Sequence, residues 1–155
     1  MMTVYEGHFN DQNYRIAIVI SRFNEAITTR LLDGAIDNLV RHGVAKDRID
    51  TYWVPGAYEI PFMAKKVVET ERYDGLVTLG AVIRGETSHY DLVTNGVANG
   101  VLQLNLTSSV PVTFGVVTTE NVDQAMQRSG VKAGNKGYDT AQALLEMISL
   151  SHQID

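Results

Sequence analysis

The run Ile16-Ala17-Ile18-Val19-Ile20 decides the fold class of this chain. No polar residue interrupts it, and an unbroken apolar run is typical of a strand that is covered on both faces. The polar turn at residues 21–24 follows, and a helix is predicted over about residues 26–42. One face of that helix carries a row of apolar side chains, Ile27, Leu31, Ala35 and Leu39, and Gly43 stands where a left-handed C-terminal cap belongs.

Three more strand-then-helix units follow along the chain. Strands are predicted over residues 49–54, 75–83 and 112–117, with helices from Ile60, from the region of His89 to about Leu106, and over residues 121–129. A glycine-rich connection at residues 130–137 leads to a last amphipathic helix, whose inward side chains are Ala141, Leu144, Leu145 and Ile148. Strands that alternate with helices of this length predict a three-layer αβα sandwich, with a four-stranded parallel sheet between two helical layers.

The third helix carries Gly96 and Gly100, each of which costs roughly 1 kcal/mol relative to alanine in a helix. Two glycines four residues apart form a smooth groove. We therefore expect another segment of backbone to pack closely against this helix.

Composition narrows the function classes. The chain has 155 residues, 18 of them acidic and 13 basic, so its formal charge is −5, which argues against nucleic acid as a partner. It has no cysteine, which excludes a disulfide scaffold and a thiolate metal site. No apolar stretch reaches the ~20 residues of a membrane span, and the N-terminus lacks a signal pattern, so no membrane partner and a cytoplasmic location are expected. We interpret residues 1–155 as one domain, with residues 1–13 as a polar N-terminal arm.

Ligands of such folds bind beyond the carboxyl ends of the strands. The loop at residues 84–89 lies at one such end, and its hydroxyls and helix-start N–H groups predict an anion site. His89 is suited to proton transfer near neutral pH. The alternative is that Thr87 or Ser88 only caps the helix and His89 is an ordinary surface residue.

Two other strand-end turns contain candidate binding residues. Glu59 lies between Pro55 and Pro61, where it either accepts hydrogen bonds from ligand hydroxyls or only stabilises a helix N-terminus. Phe23 lies in a polar turn, where it either stacks on a ring or covers the edge of the core.

The C-terminal third contains three basic candidates for anion binding. Arg128 suits a phosphate but also suits the last turn of its helix, and Lys132 and Lys136 are either anion contacts or solvated loop charges. Neither the G-x-x-x-x-G-K-[ST] nor the G-x-G-x-x-G pattern is present, and the scattered histidines make a metal site improbable.

Five segments in order resemble the 6,7-dimethyl-8-ribityllumazine synthase family over about residues 4–147. They are VISRFN (19–24), WVPGAYEIP (53–61), LGAVIRGETSHY (79–90), FGVVTTE (114–120) and KAGNKG (132–137). The resemblance implies a flavodoxin-like fold and the penultimate step of riboflavin biosynthesis. In that step 5-amino-6-(D-ribitylamino)uracil condenses with 3,4-dihydroxy-2-butanone 4-phosphate, and no metal or organic cofactor is used.

The resemblance also implies roles for individual residues. His89 would transfer protons, and Glu86, Thr87 and the neighbouring subunit's Arg128 would bind the phosphate. The aminouracil substrate would be bound by Phe23, Ala57, Tyr58, Glu59, Ala81, Val82 and Ile83, with Phe114 and Lys136 supplied by the neighbouring subunit. Glu86 departs from the family pattern, because many members have a small residue there.

The family forms homopentamers, and many bacterial members close twelve pentamers into an icosahedral shell. The short connection at residues 130–137 resembles that of shell-forming members, and riboflavin synthase is a further candidate partner. The arm would add a strand to a neighbouring subunit's sheet, and Gly96 and Gly100 would pack around the fivefold axis. An alternative is a non-catalytic protein that binds flavins or phosphorylated ribityl compounds.

Overall fold

Four parallel strands form one sheet in the computed structural model, which describes residues 1–10, 13–131 and 134–154. They are β1 (Ile16–Ser21), β2 (Ile49–Val54), β3 (Gly75–Ile83) and β4 (Val112–Thr119), in the spatial order β2-β1-β3-β4. Every pairing among these four strands is parallel, so their carboxyl ends all lie at one edge of the sheet. The predicted α/β architecture is confirmed.

Among the described residues, five α-helices surround the sheet. They are α1 (Glu25–Arg41), α2 (Ile60–Glu69), α3 (His89–Thr107), α4 (Val122–Arg128) and α5 (Lys136–Ile154). Single turns of 3₁₀ helix precede β2 at Lys46–Arg48 and α2 at Ala57–Glu59. The predicted helix cap at Gly43 is confirmed, because this residue has a left-handed φ of 101°.

The first strand is covered on both faces, as its sequence predicts. Ile16, Ile18 and Ile20 pack into the core beneath α1 and α5, while Ala17 and Val19 pack into the core beneath α2 and α3. All five side chains have no exposed surface. Burial of each isoleucine side chain is worth about 1.5–3 kcal/mol, so this strand anchors both helical layers.

The glycine-rich connection ends earlier than its composition predicts. Helix α5 begins at Lys136, so Gly137 lies inside its first turn. A Cβ atom at Gly137 would lie 1.9 Å from the carbonyl oxygen of Leu31 in α1, so only glycine permits this approach. Lys132, which the sequence interpretation places in this connection, lies outside the described residues.

The sequence predicts that another segment of backbone packs against Gly96 and Gly100. This prediction is wrong, because side chains and not backbone pack there. A Cβ at Gly96 would lie 2.6 Å from the ring of Tyr58, and one at Gly100 would lie 2.6 Å from the ring of Pro61. Side-chain rings of the same chain therefore occupy the space above both glycines. Packing of these two glycines around a fivefold axis involves neighbouring subunits and stays a prediction.

The N-terminal arm lies along α5 of its own chain. The backbone N–H of His8 donates to Ser149 Oγ (3.1 Å), and the Gln153 side chain donates to the carbonyl oxygen of Glu6. No strand forms in the described part of the arm, residues 1–10. Addition of the arm to a neighbouring sheet remains a prediction.

Polar side chains at the amino ends of the strands bond to one another. The hydroxyl of Tyr73 donates to Asp50 Oδ2 (2.6 Å) and lies 2.5 Å from the hydroxyl of Tyr52. Arg15 pairs with Asp50 at 3.5 Å. Burial, followed by the hydrogen bond to Asp50, raises the pKa of Tyr73 well above its ordinary value. We refer to Arg15, Asp50, Tyr52 and Tyr73 as the amino-end cluster.

Candidate active site at the carboxyl ends of the strands

Backbone hydrogen bonds hold the strand-end loops against one another. The N–H of Arg22 donates to Val54 O (2.8 Å), and the N–H of Phe23 donates to Pro55 O (3.0 Å). These bonds join the loop after β1 to the loop after β2. The loops after β3 and β4 are joined in the same way, by the N–H of Arg84 and the carbonyl oxygen of Thr119 (2.9 Å).

Phe23 projects from the loop after β1. Its side chain is 71% exposed, so it does not cover the edge of the core. The next residue, Asn24, has a left-handed φ of 64°, and its side-chain amide donates to Ala81 O at 2.9 Å. The exposed ring thus belongs to a turn that is fixed to both β2 and β3, an arrangement that suits stacking on a planar ring.

Glu59 closes the turn after β2. Its Oε1 accepts a hydrogen bond from the N–H of Gly56 (2.9 Å), so the interpretation as a carboxylate that stabilises a helix start is realised. Its second oxygen has no donor among the described residues and remains available to a ligand. Ala57 is buried and Tyr58 is exposed, with its ring against Gly96 of α3.

Strand β3 and the loop that follows it supply the remaining strand-end candidates. Ala81 is buried, and Val82 and Ile83 are partly exposed. His89 and Thr87 are exposed, and the Thr87 hydroxyl accepts the N–H of His89 at 3.2 Å in the turn that precedes α3. Ser88 makes no capping bond with its side chain.

The start of α3 can still receive an anion. The N–H groups of Glu86 and Thr87 donate to no described residue, and they lie just before a helix N-terminus, which carries partial positive charge. Glu86 is exposed and forms no ion pair with the described residues. This placement leaves room for its carboxylate to turn toward solvent.

Arg84 takes part in the site although the sequence alone predicts no role for it. Its Nε lies 2.8 Å from Glu120 Oε2, its Nη2 lies 3.4 Å from Asp91 Oδ1, and its guanidinium stacks on Tyr90 at 4.3 Å. The pair with Glu120 joins the loop after β3 to the loop after β4, so Arg84 fixes the segment that carries Thr87 and His89. Its place at the end of a buried strand, one residue before a glycine, is the signal that could have found it.

The other three candidates lie elsewhere on the chain. Phe114 in β4 and Lys136 at the start of α5 line one groove of about 460 Å³ between β4, α3 and α5. None of the strand-end candidates lines that groove. Arg128 is exposed at the end of α4, and its guanidinium has no hydrogen bond or ion pair with the described residues.

The candidates therefore form two groups. The strand-end group contains Phe23, Ala57, Tyr58, Glu59, Ala81, Val82, Ile83, Glu86, Thr87 and His89. The C-terminal group contains Phe114, Arg128 and Lys136. Within the described ranges, no three His, Asp or Glu side chains are grouped so that they could hold a metal ion.

Comparison with known proteins identifies the family. The family model described as 6,7-dimethyl-8-ribityllumazine synthase matches residues 13–152. The chain belongs to the 6,7-dimethyl-8-ribityllumazine synthase family. Two relatives that carry this name confirm the match over nearly the full chain. The protein from Pediococcus pentosaceus is 54% identical over 154 residues, which cover 99% of each chain. The protein from Limosilactobacillus reuteri is 53% identical over 154 residues, which cover 99% of this chain and 100% of the relative.

Family membership confirms the resemblance that the five segments indicate. The four segments at residues 19–24, 53–61, 79–90 and 114–120 lie in strands and in the loops at their carboxyl ends, and the second and third extend into the first residues of α2 and α3. Within the described part of this lumazine synthase family member, no helix is long and apolar enough to cross a membrane.

Proposed function

We propose that this chain condenses 5-amino-6-(D-ribitylamino)uracil with 3,4-dihydroxy-2-butanone 4-phosphate to form 6,7-dimethyl-8-ribityllumazine, in the cytoplasm. Phosphate and two molecules of water leave in this reaction. The observation that supports it most directly is the agreement between the family match over residues 13–152 and the position of His89 at the strand ends. His89 is exposed, and it follows the N–H groups of Glu86 and Thr87, which suit phosphate, by three and two residues in sequence.

His89 would move protons in both halves of the reaction. Formation of an imine requires a proton for the departing water, and loss of phosphate requires removal of a proton from carbon. An imidazole can both accept and donate protons near neutral pH. The further acceleration would come from holding two substrates in reacting geometry, which is worth up to about 7–11 kcal/mol.

The strand-end group would bind both substrates. Phe23 would stack on the pyrimidine ring, and the free oxygen of Glu59 would accept hydrogen bonds from the ribityl hydroxyls. Backbone groups of Ala57 and Tyr58 would bind the same substrate, and Ala81, Val82 and Ile83 would line its ring. Glu86 and Thr87 would donate their N–H groups to the phosphate.

The resemblance to the family implies that a neighbouring subunit supplies the cation for the phosphate. Arg84 is already paired with Glu120 and Asp91, and Glu86 adds a further carboxylate. Arg128 has no partner within the described residues, and a guanidinium binds phosphate through paired hydrogen bonds. We therefore assign it to the site of a neighbouring subunit, together with Phe114, which would close the pocket, and Lys136, which would approach the ribityl chain.

A site shared between subunits requires an oligomer. We assign the chain to homopentamers, twelve of which would form an icosahedral shell that riboflavin synthase would accompany. The arm at residues 1–10 would leave its place along α5 and pair with a neighbour's sheet edge. Sedimentation and electron microscopy of the purified protein test this assembly, and a monomer at micromolar concentration would contradict it.

The test of the activity is direct. Both substrates are incubated with the purified protein, and formation of the fluorescent lumazine is followed against a sample that lacks the protein. Turnover is the expected result. Tight binding of ribityl compounds without product would favour a non-catalytic binding protein instead.

A further inference from the structure

One asparagine fastens the connection between α4 and α5 to α1. The side-chain amide of Asn135 donates to the carbonyl oxygen of Arg30 (3.0 Å) and to that of Ser129 (3.1 Å). Its Oδ1 accepts the N–H of Tyr138 (3.1 Å). The side chain thus links the middle of α1, the residue that follows α4 and the first turn of α5.

The surrounding backbone is built to admit this side chain. A Cβ atom at Gly34 of α1 would lie 2.3 Å from Asn135 Oδ1, so α1 has a glycine where the amide approaches. Gly130, with a φ of 99°, turns the chain beside the same amide. An isolated antiparallel bridge between Ser129 and Asn135 closes the connection at its base.

Two of the residues in this hydrogen-bond network are the immediate neighbours of candidate site residues. Ser129 follows Arg128, and Asn135 precedes Lys136. Both of these cations are exposed and belong to the C-terminal group. One side chain that bonds to three segments therefore helps to set the backbone positions of both residues, together with the helices to which they belong.

We propose that Asn135 is a positioning residue for Arg128 and Lys136, and that it sets the geometry of the half-site that each subunit contributes to its neighbour. This proposal rests on the proposed function, because it takes the site to be shared. A residue that only begins a helix would need the bond to Tyr138 alone. The two bonds that the amide donates to Arg30 and Ser129 hold the connection against α1.

The substitution Asn135→Asp separates these two roles. The carboxylate keeps an acceptor for the N–H of Tyr138, but it cannot donate to the two carbonyl groups. We expect kcat/KM for the phosphate substrate to fall by about 10- to 100-fold, since small displacements of positioning groups have effects of that size. Asn135→Ser, which keeps a short acceptor without a charge, provides a second variant if the aspartate variant does not assemble.

Asn121→Asp is the matched control. Asn121 also accepts a helix-start N–H, that of Gln124 at 2.9 Å, but its amide donates to no described residue. This variant should behave as the unmodified protein does. An equal loss of kcat/KM in both aspartate variants would overturn the positioning role.

Mixed assemblies distinguish positioning from general damage. When Asn135→Asp and His89→Ala chains are co-expressed in equal amounts, about one quarter of shared sites combine an intact His89 with an intact neighbouring half-site. Activity well above that of either variant alone is expected. If Asn135→Asp is impaired and mixing restores nothing, its defect lies within its own subunit and the proposal is wrong.

Binding of inorganic phosphate gives a readout that does not depend on turnover. The Asn135 variants should bind phosphate more weakly, as Arg128→Ala does, and mixed assemblies should recover the stronger sites. An inactive unmodified protein that follows this pattern would refute the proposed function and support the role of Asn135. If the unmodified protein is active and its Asn135 variants match it in kcat/KM and phosphate affinity, the proposed function is supported and the role of Asn135 is refuted.

Discussion

The two ends of the parallel sheet differ in which side chains they leave without a partner. At the amino ends, Tyr73 bonds to Asp50 and to Tyr52, and Asp50 also pairs with Arg15. At the carboxyl ends, the imidazole of His89 and the ring of Phe23 are exposed without a hydrogen-bond or ring partner among the described residues. Polar groups that bond to one another contribute to stability, whereas groups left unpaired beyond the strand ends are available for a ligand.

The largest expected effect is on turnover and follows from His89→Ala at the carboxyl ends. We expect kcat to fall by ~10²–10⁴, the usual contribution of a general acid–base group, because positioning of the substrates persists. Steady-state formation of lumazine measures the effect. His8→Ala, an exposed histidine in the arm, is the matched control and should keep full activity. If a fall in the thermal stability of His89→Ala accounted for the loss of kcat, the carboxyl ends would not differ from the amino ends in serving the reaction.

Arg128→Ala should act mainly on the phosphate substrate. Loss of charge-assisted hydrogen bonds worth about 1.5–3 kcal/mol predicts a rise in KM of roughly 10- to 100-fold, with a smaller change in kcat. Arg30→Ala, which removes another exposed guanidinium, should leave KM unchanged. An equal rise of KM for both substrates would contradict the assignment of Arg128 to the phosphate.

Tyr73→Phe at the amino ends should affect stability alone. The variant loses the hydrogen bond to a carboxylate, and we expect the free energy of unfolding to fall by about 1–3 kcal/mol while kcat stays the same. Chemical denaturation measures the first quantity and the lumazine assay the second. A lower kcat at full stability would show that the amino-end cluster also serves the reaction.

The raised pKa of Tyr73 also predicts the direction of a pH effect. The unfolded chain loses the tyrosine proton from about pH 10 upward, while the folded chain retains it. The stabilisation is therefore complete below pH 10 and declines as the pH rises further. Denaturation curves at alkaline pH should show a shallower decline for Tyr73→Phe than for Tyr5→Phe, which replaces an exposed tyrosine in the arm.

The smallest effect is expected far from both ends. Lys65 and Glu69 form an exposed pair at 3.2 Å on α2, and such pairs contribute about 0.3–0.5 kcal/mol. Glu69→Gln should change the unfolding free energy by no more than this and leave the lumazine assay unaffected. If Glu69→Gln lowered the free energy of unfolding as much as Tyr73→Phe does, the hydrogen bonds of the amino-end cluster would contribute no more to stability than an exposed ion pair.

Much of the fold follows from local sequence patterns. The bounds of β2 and β3 agree with those predicted, because the Pro55-Gly56 turn ends the first strand and Arg84 ends the apolar run that forms the second. The start of α5 cannot be predicted from local sequence patterns, and Gly137 shows why. Glycine is a weak helix former in isolation, and its fit here depends on the carbonyl oxygen of Leu31, more than one hundred residues away in sequence.

The candidate site divides in the same way. The place of His89 and Thr87 beyond a strand end follows from residue types and from the parallel topology. The roles of Asn24 and Arg84 do not, because their partners Ala81 and Glu120 become neighbours only when the strands pair. The separation of Phe114 and Lys136 from the strand-end group is likewise a property of the folded chain that no local pattern carries.

The contact between the arm and α5 has a consequence for engineering. Because Glu6 and His8 bond to Gln153 and Ser149, residues near the beginning and the end of the chain lie side by side. A short flexible linker could therefore join them, and the chain could be reopened at an exposed turn such as that at Glu71. A circularly permuted protein of this kind would keep the sheet order and both faces of the core, but its linker would hold the arm along α5 and so prevent the arm from pairing with a neighbour's sheet.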